Sequence, residues 1–169
     1  MKKHIFIING SGGVGKDTFC SMVNEISINR SYSYSSVTKI KEIASELGWE
    51  GKKTEKDRKF LSDLKDLSTQ YNDLPFRQVC KQIELFYSCG DYMQVLFLHI
   101  REPEEIKKIV DAFPEVQTIL LKSSRVESIK SNHADKDVEN YVYDFVIYNN
   151  EGLEDLKHIA ENFYEVYCN

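Results

Sequence analysis

The stretch Ile5-Phe6-Ile7-Ile8-Asn9-Gly10-Ser11-Gly12-Gly13-Val14-Gly15-Lys16-Asp17-Thr18 is an apolar run that feeds a glycine-rich turn ending in a lysine. Residues 10–16 read Gly-x-x-x-x-Gly-Lys, the Walker A spacing, and Asp17 stands where Ser or Thr normally follows the lysine. Glycines admit positive φ, so successive N–H groups of such a loop can turn inward and cradle an anion. The helix behind the loop adds its N-terminal dipole and its unpaired N–H donors. Ser11, Gly12, Gly13, Val14 and Gly15 are therefore expected to wrap the phosphates of a nucleoside triphosphate, with Lys16 reaching the β- and γ-phosphates. Asp17 offers a carboxylate, a hard oxygen ligand suited to Mg²⁺. Without the metal its charge would repel the triphosphate, so the expected ligand is Mg·NTP. Thr18 lies one step further round the helix, where a hydroxyl reaches the α-phosphate.

The surroundings fit the loop. An apolar strand precedes it, and Phe19, Met22, Val23 and Ile26 follow at helical spacing. Further along, Val95-Leu96-Phe97-Leu98-His99-Ile100 is a continuous apolar run, the pattern of a parallel strand covered on both faces. Expected strands at 4–9, 34–37, 95–100, 116–121 and 145–147 alternate with helices at 15–29, 39–47, 55–71, 103–112 and 151–167. A further helix follows Asp73-Leu74-Pro75 and ends at Gly90-Asp91, and residues 132–141 read as a short helix or turn. This alternation predicts a three-layer α/β/α domain over residues 1–169, with a parallel sheet of about five strands and right-handed crossovers. Ligands of such sheets bind beyond the carboxyl ends of the strands, so the loops at 10–16, 38–41, 99–103, 122–132 and 148–152 surround one cleft.

Composition narrows the class. The chain has 169 residues and a formal charge of −5 without long blocks of one sign, which argues against a nucleic-acid partner. Lys2-Lys3 followed by a short apolar run superficially resembles a signal peptide, but the run ends in the phosphate loop and reads as a strand. No apolar stretch approaches membrane-spanning length. Cys20, Cys80, Cys89 and Cys168 have no metal-ligand spacing and read as reduced thiols, and His4, His99, His133 and His158 form no ligand pattern. The expected setting is cytoplasmic.

Other residues could carry chemistry. Arg101 follows the buried 95–100 strand at the carboxyl edge, where a guanidinium would clamp an acceptor phosphate or the transferring group; the alternative is a surface arginine paired with Glu104 or Glu105. His99 occupies a strand end where an Mg²⁺-supporting Asp often stands, and reads equally as a core histidine. Arg125, in Lys122-Ser123-Ser124-Arg125, belongs either to a short basic lid or to an ordinary exposed loop. Asn149-Asn150 ahead of Gly152 could read a base edge or simply form a turn.

In order along the chain, these segments resemble the nucleoside monophosphate kinase branch of P-loop kinases, and the phage-type deoxynucleoside monophosphate kinases most. The Gly15-Lys16-Asp17-Thr18 spelling is similar to the loop of those enzymes. Val37 to Ala44 resembles their segment near the acceptor nucleotide, and Arg58 to Leu64 their helix supplying an acceptor-phosphate arginine. His99 to Glu105 resembles their Asp-x-Arg segment, with His in place of Asp, and Asp144 to Leu153 their last strand and adenine-side turn. The resemblance implies transfer of the γ-phosphoryl of Mg·ATP to a (deoxy)nucleoside monophosphate. Lys16, Arg101 and Arg125 would then be catalytic, and Lys41, Arg58 and Arg101 would bind the acceptor. Ser11 to Thr18 with Asn149 and Asn150 would hold ATP, and Asp17 the metal. It also implies a helical acceptor-side insertion over about 38–90 and a short lid over about 122–132, and is compatible with a homodimer. Two rivals keep the loop: a kinase of another small phosphorylated metabolite, and a nucleotide-binding protein without significant turnover.

Overall fold

A computed structural model describes residues 2–126 and 138–168. Five parallel strands form one sheet in the order β2-β3-β1-β4-β5. The strands are β1 (His4–Asn9), β2 (Ser31–Ser35), β3 (Val95–His99), β4 (Gln117–Lys122) and β5 (Phe145–Tyr148). Among the described residues the helices are α1 (Lys16–Ile26), α2 (Thr38–Glu46), α3 (Glu55–Asn72), α4 (Leu74–Ser88), α5 (Pro103–Ala112) and α6 (Leu153–Tyr167).

Alternation along β1 builds the two halves of the core. Phe6 and Ile8 point to one face, where Phe19 and Val23 of α1 and Leu156 and Phe163 of α6 cover them. Phe163 sits edge-on to Phe6 at 5.0 Å and to Phe19 at 5.4 Å between ring centroids, an arrangement that adds to simple area burial. Ile5 and Ile7 point to the other face, under Val79, Ile83 and Phe86 of α4 and Ile106 and Ile109 of α5. Every residue of β1 is buried, which is what a central parallel strand requires.

The winding reverses at β1. From it the chain runs outward to β2 and back to β3 on one side, while β4 and β5 extend the other. The carboxyl end of β1 is therefore the topological switch point, where open α/β sheets bind ligands, and residues 10–15 begin there.

Three boundaries depart from expectation. β2 lies at Ser31–Ser35 rather than 34–37, because a Ser-Tyr alternation at a sheet edge carries no apolar run to mark it. α1 ends at Ile26 rather than 29: Ile28 and Asn29 are left-handed, at φ 56° and 59°, and turn the chain back toward β2. Of the expected 132–141 element, a short 3-10 turn at Val138–Asn140 is described, and residues 132–137 lie outside the described residues. The segment named as a lid is described only as far as Val126, so positions 127–132 of it also lie outside. Among the described residues no helix is long and apolar enough to cross a membrane.

Candidate functional site

The phosphate loop is fixed from below by side-chain amides. Asn9, fully buried at the end of β1, accepts from Gly10 N–H at 2.8 Å through its Oδ1. Its Nδ2 donates to the Arg101 carbonyl at 2.9 Å and to the Tyr143 hydroxyl at 2.8 Å. One amide thus ties the loop's first residue to the chain leaving β3 and to the chain entering β5. Asn149, also buried, does the same from the other side. Its Nδ2 donates to the Val14 carbonyl at 2.9 Å, and its Oδ1 accepts from the Arg125 guanidinium at 3.0 Å.

Two glycines are required by sterics as well as by torsion. Gly10 has φ 145°, and a Cβ there would sit 2.3 Å from the Leu121 carbonyl oxygen. Gly15 has φ 102°, and a Cβ there would sit 2.7 Å from Asn149 Nδ2. L side chains rarely adopt such backbone, so substitution meets both strain and overlap.

Lys16 opens α1 and folds its ammonium back onto the loop, donating to the carbonyls of Gly10 and Ser11. Asp17 is almost wholly exposed, and its Oδ1 lies 3.7 Å from His99 Nδ1 at the end of β3. Burial draws the His99 pKa below its ordinary value, against the opposing pull of the Asp17 carboxylate. The imidazole is therefore neutral at pH 7 and offers no fixed charge to the phosphates. Behind it, Cys20 Sγ lies 3.9 Å from His99 Nε2, and burial pushes that thiol up to about 12, which makes it inert.

Among the described residues no group of three or more His, Cys, Asp or Glu side chains could hold a metal by itself. The site instead offers one exposed carboxylate beside a phosphate cradle. Mg²⁺ keeps several waters and is usually bound through one or two carboxylates plus substrate phosphates. Asp17 fits that habit.

In front of the loop opens a cleft of about 800 Å³. Gly12, Gly13, Lys16 and Asp17 form one wall, with His99, Arg101 and Glu102 at the end of β3. The opposite wall comes from β2 and the chain behind it (Ser33 to Thr38), Lys41 of α2, Lys53 of the α2–α3 connection, and Leu61, Ser62 and Lys65 of α3. Lys65 is nearly buried and paired with Glu102 at 2.6 Å and Glu105 at 2.9 Å. Burial alone would lower its pKa, but the two carboxylates outweigh that and raise it. Glu105 is shifted up in turn, because its own burial exceeds the pull of Lys65.

The expected site residues divide. Gly12, Gly13, Lys16, Asp17, Lys41 and Arg101 share the large cleft. Ser11, Val14 and Asn150 line a second hollow of about 280 Å³ behind the loop, with Ser124 and Tyr148. Gly15 is the N-cap of α1, and Thr18 lies half-buried on its first turn. Arg58 is exposed on α3, one turn before Ser62, and is not among the residues that line the cleft. Arg125 is drawn the other way. Its guanidinium bonds to Asn149, so it braces the 149–152 turn instead of standing over the loop. The Asn149 amide, expected at a base edge, is engaged with Val14 and Arg125.

Asn9, Lys53 and Lys65 were not singled out by sequence reasoning. A polar residue ending an all-apolar strand is a readable signal, and Asn9 carries it. Lys53 and Lys65 sit among many other lysines, and only the packing of α3 shows which of them face inward.

No family model and no curated protein matches the sequence. Solved structures do match along the whole length. An unliganded sugar kinase from Janibacter sp. HTCC2649 superposes with TM-score 0.53 at 13% identity, covering 98% of this chain and 96% of that one. TT1252 from Thermus thermophilus gives 0.53 at 14%, covering 98% and 99%. APE1195 gives 0.51 at 13%, covering 98% and 94%. At such identities the likeness is one of fold. With the all-parallel sheet and the loop at its switch point, it shows that the chain shares the three-layer α/β/α fold of these structures.

Proposed function

We propose that the protein transfers the γ-phosphoryl group of Mg·ATP to a small phosphorylated acceptor, a nucleoside or deoxynucleoside monophosphate. The observation that carries this reading is the shape of the cleft. A phosphate loop with its lysine forms one wall, and a hydroxyl- and lysine-bearing wall faces it across enough space for a second substrate. A simple hydrolase needs only water there.

In this reading the backbone N–H groups of residues 11–15 and the Lys16 ammonium hold the triphosphate and take up charge that builds on the β,γ-bridging oxygen. Lys16 would exchange its two loop carbonyls for phosphate oxygens, a swing its flexible stem allows. Asp17 would help hold Mg²⁺ together with the nucleotide, and the metal would supply charge neutralisation to the triphosphate. An acceptor phosphate oxygen attacks the γ-phosphorus, the bond to the β,γ-bridging oxygen breaks, and ADP leaves with that electron pair. Arg101 stands beside the reacting groups and holds the acceptor. Arg125 supports the ATP side through Asn149. His99 lies 3.7 Å from Asp17 without bonding to it, and no covalent enzyme intermediate is required. Catalysis is positioning and charge stabilisation.

The test is ATP consumption against a panel of ribo- and deoxynucleoside monophosphates, with Lys16→Ala as control. ADP should form only with an acceptor present, and the variant should lose about 10²- to 10³-fold in turnover. If Mg·ATP binds but no monophosphate stimulates turnover, the assignment fails. The missing carboxylate at His99 would then favour a nucleotide-binding protein without turnover. Stimulation by a sugar phosphate instead would favour a kinase of another metabolite.

A further inference from the structure

We infer that Lys53, acting with Lys41, is an anion-holding residue of the acceptor side, across the cleft from Arg101, and helps set the affinity for the acceptor's phosphate. The inference rests on the phosphotransfer reading above and names a residue which that reading leaves out.

The basic side chains of the cleft wall are not equivalent. Lys65 is committed to Glu102 and Glu105. Lys16 belongs to the phosphate loop and bonds to its carbonyls. Lys41 and Lys53 line the same cleft, and neither has an acidic partner among the described residues. Their neighbours Lys39 and Lys52 lie outside the cleft wall and are paired, with Glu42 at 2.8 Å and Glu50 at 2.5 Å. The pairing pattern therefore leaves open charge on the side of the wall that faces the triphosphate.

Lys53 is also flanked by local hydrogen bonds on both sides. On one, the Trp49 indole N–H donates to the Lys52 carbonyl at 3.1 Å. On the other, Thr54 caps α3: its hydroxyl accepts from Asp57 N–H at 3.2 Å, while the Asp57 carboxylate accepts from Thr54 N–H at 3.1 Å. The residue before and the residue after thus each make a local hydrogen bond that favours this turn. A lysine on such a favoured turn loses less freedom on binding than one in a slack loop. Gly51, at φ 80°, makes the turn that brings it there. An ammonium is a point charge without the fork geometry of arginine. The acceptor's phosphate would accordingly be recognised by charge, with affinity that falls as salt rises.

Steady-state kinetics on Lys53→Ala and Lys53→Arg test this, with Lys52→Ala as the neighbouring control. Lys53→Ala should raise the acceptor KM about tenfold while kcat and the KM for ATP stay within about twofold. Lys53→Arg should restore most of the loss, and Lys52→Ala should leave all three constants unchanged. An acceptor KM that moves less than twofold, or a fall in kcat alone, overturns the assignment. A second readout needs no turnover: amine acylation of the intact protein mapped by mass spectrometry, with adenosine and thymidine monophosphates and inorganic phosphate as probes. Protection of Lys53 by the monophosphates supports the inference even where the kinase assay is silent. Protection of Lys16 by Mg·ATP, with none of Lys53 by any probe, refutes it while leaving nucleotide binding intact.

Discussion

The two walls of the cleft are built by opposite means. On the triphosphate side, position is dictated by backbone: left-handed glycines, buried amides of Asn9 and Asn149, and the start of α1 on a fully buried strand. On the acceptor side, it depends on long side chains. α3 has no fully buried residue; it packs on α2 and α4, and Lys65 ties it to Glu102 and Glu105 beyond the end of β3. A cradle for a constant group, the triphosphate, is rigid. In the reading proposed above, the variable acceptor meets a wall whose exposed lysines are free to differ while its buried members, Tyr34 and Ile40, belong to the core.

The comparison predicts unequal sensitivity. Gly10→Ala strikes the rigid wall. A Cβ against the Leu121 carbonyl at left-handed torsion should cost about 3–5 kcal/mol and abolish ATP binding, measurable by chemical denaturation and nucleotide titration. A stability loss under 1 kcal/mol would show that the loop yields. Lys65→Met strikes the other wall and strands Glu105 in a largely buried position. We expect about 2 kcal/mol of destabilisation, less than for a fully buried pair, with ATP affinity kept and acceptor KM raised. Equal damage to both substrates would mean that the walls are not independent.

The smallest effect concerns His4 on β1, away from both walls. Burial, then the charge of Lys2, lowers its pKa in the folded protein. The unfolded chain therefore takes up a proton first as pH falls through about 6.5, so stability drops from there down to the folded-state value. Thermal unfolding followed from pH 7.5 to 5.5 should show a shallower decline in His4→Gln than in the parent. Matching slopes would remove His4 from the balance.

The same contrast explains what could be read without coordinates. The phosphate loop was legible because glycine spacing encodes backbone shape directly, and β1 and β3 because burial on both faces leaves an unbroken apolar run. α5 was legible from Pro103 onward, since proline suits a helix start. The acceptor wall was not. Arg58 and Ser62 lie one turn apart on α3, and only the helix's packing on α2 and α4 shows that Ser62 lines the cleft and Arg58 does not. The partner of Arg125 was equally hidden: a basic residue after a strand is easily read toward the substrate, and the bond it makes here is to the protein's own Asn149. A chain's polar side chains spend themselves on one another in ways that linear order does not display.

Trp49, whose indole N–H fixes the Lys52 carbonyl, is the chain's single tryptophan. Excited at the red edge, where its ten tyrosines do not absorb, its emission arises from the α2–α3 connection alone. The protein thereby carries a native optical probe beside the wall that faces the phosphate loop, and events there can be followed without a label.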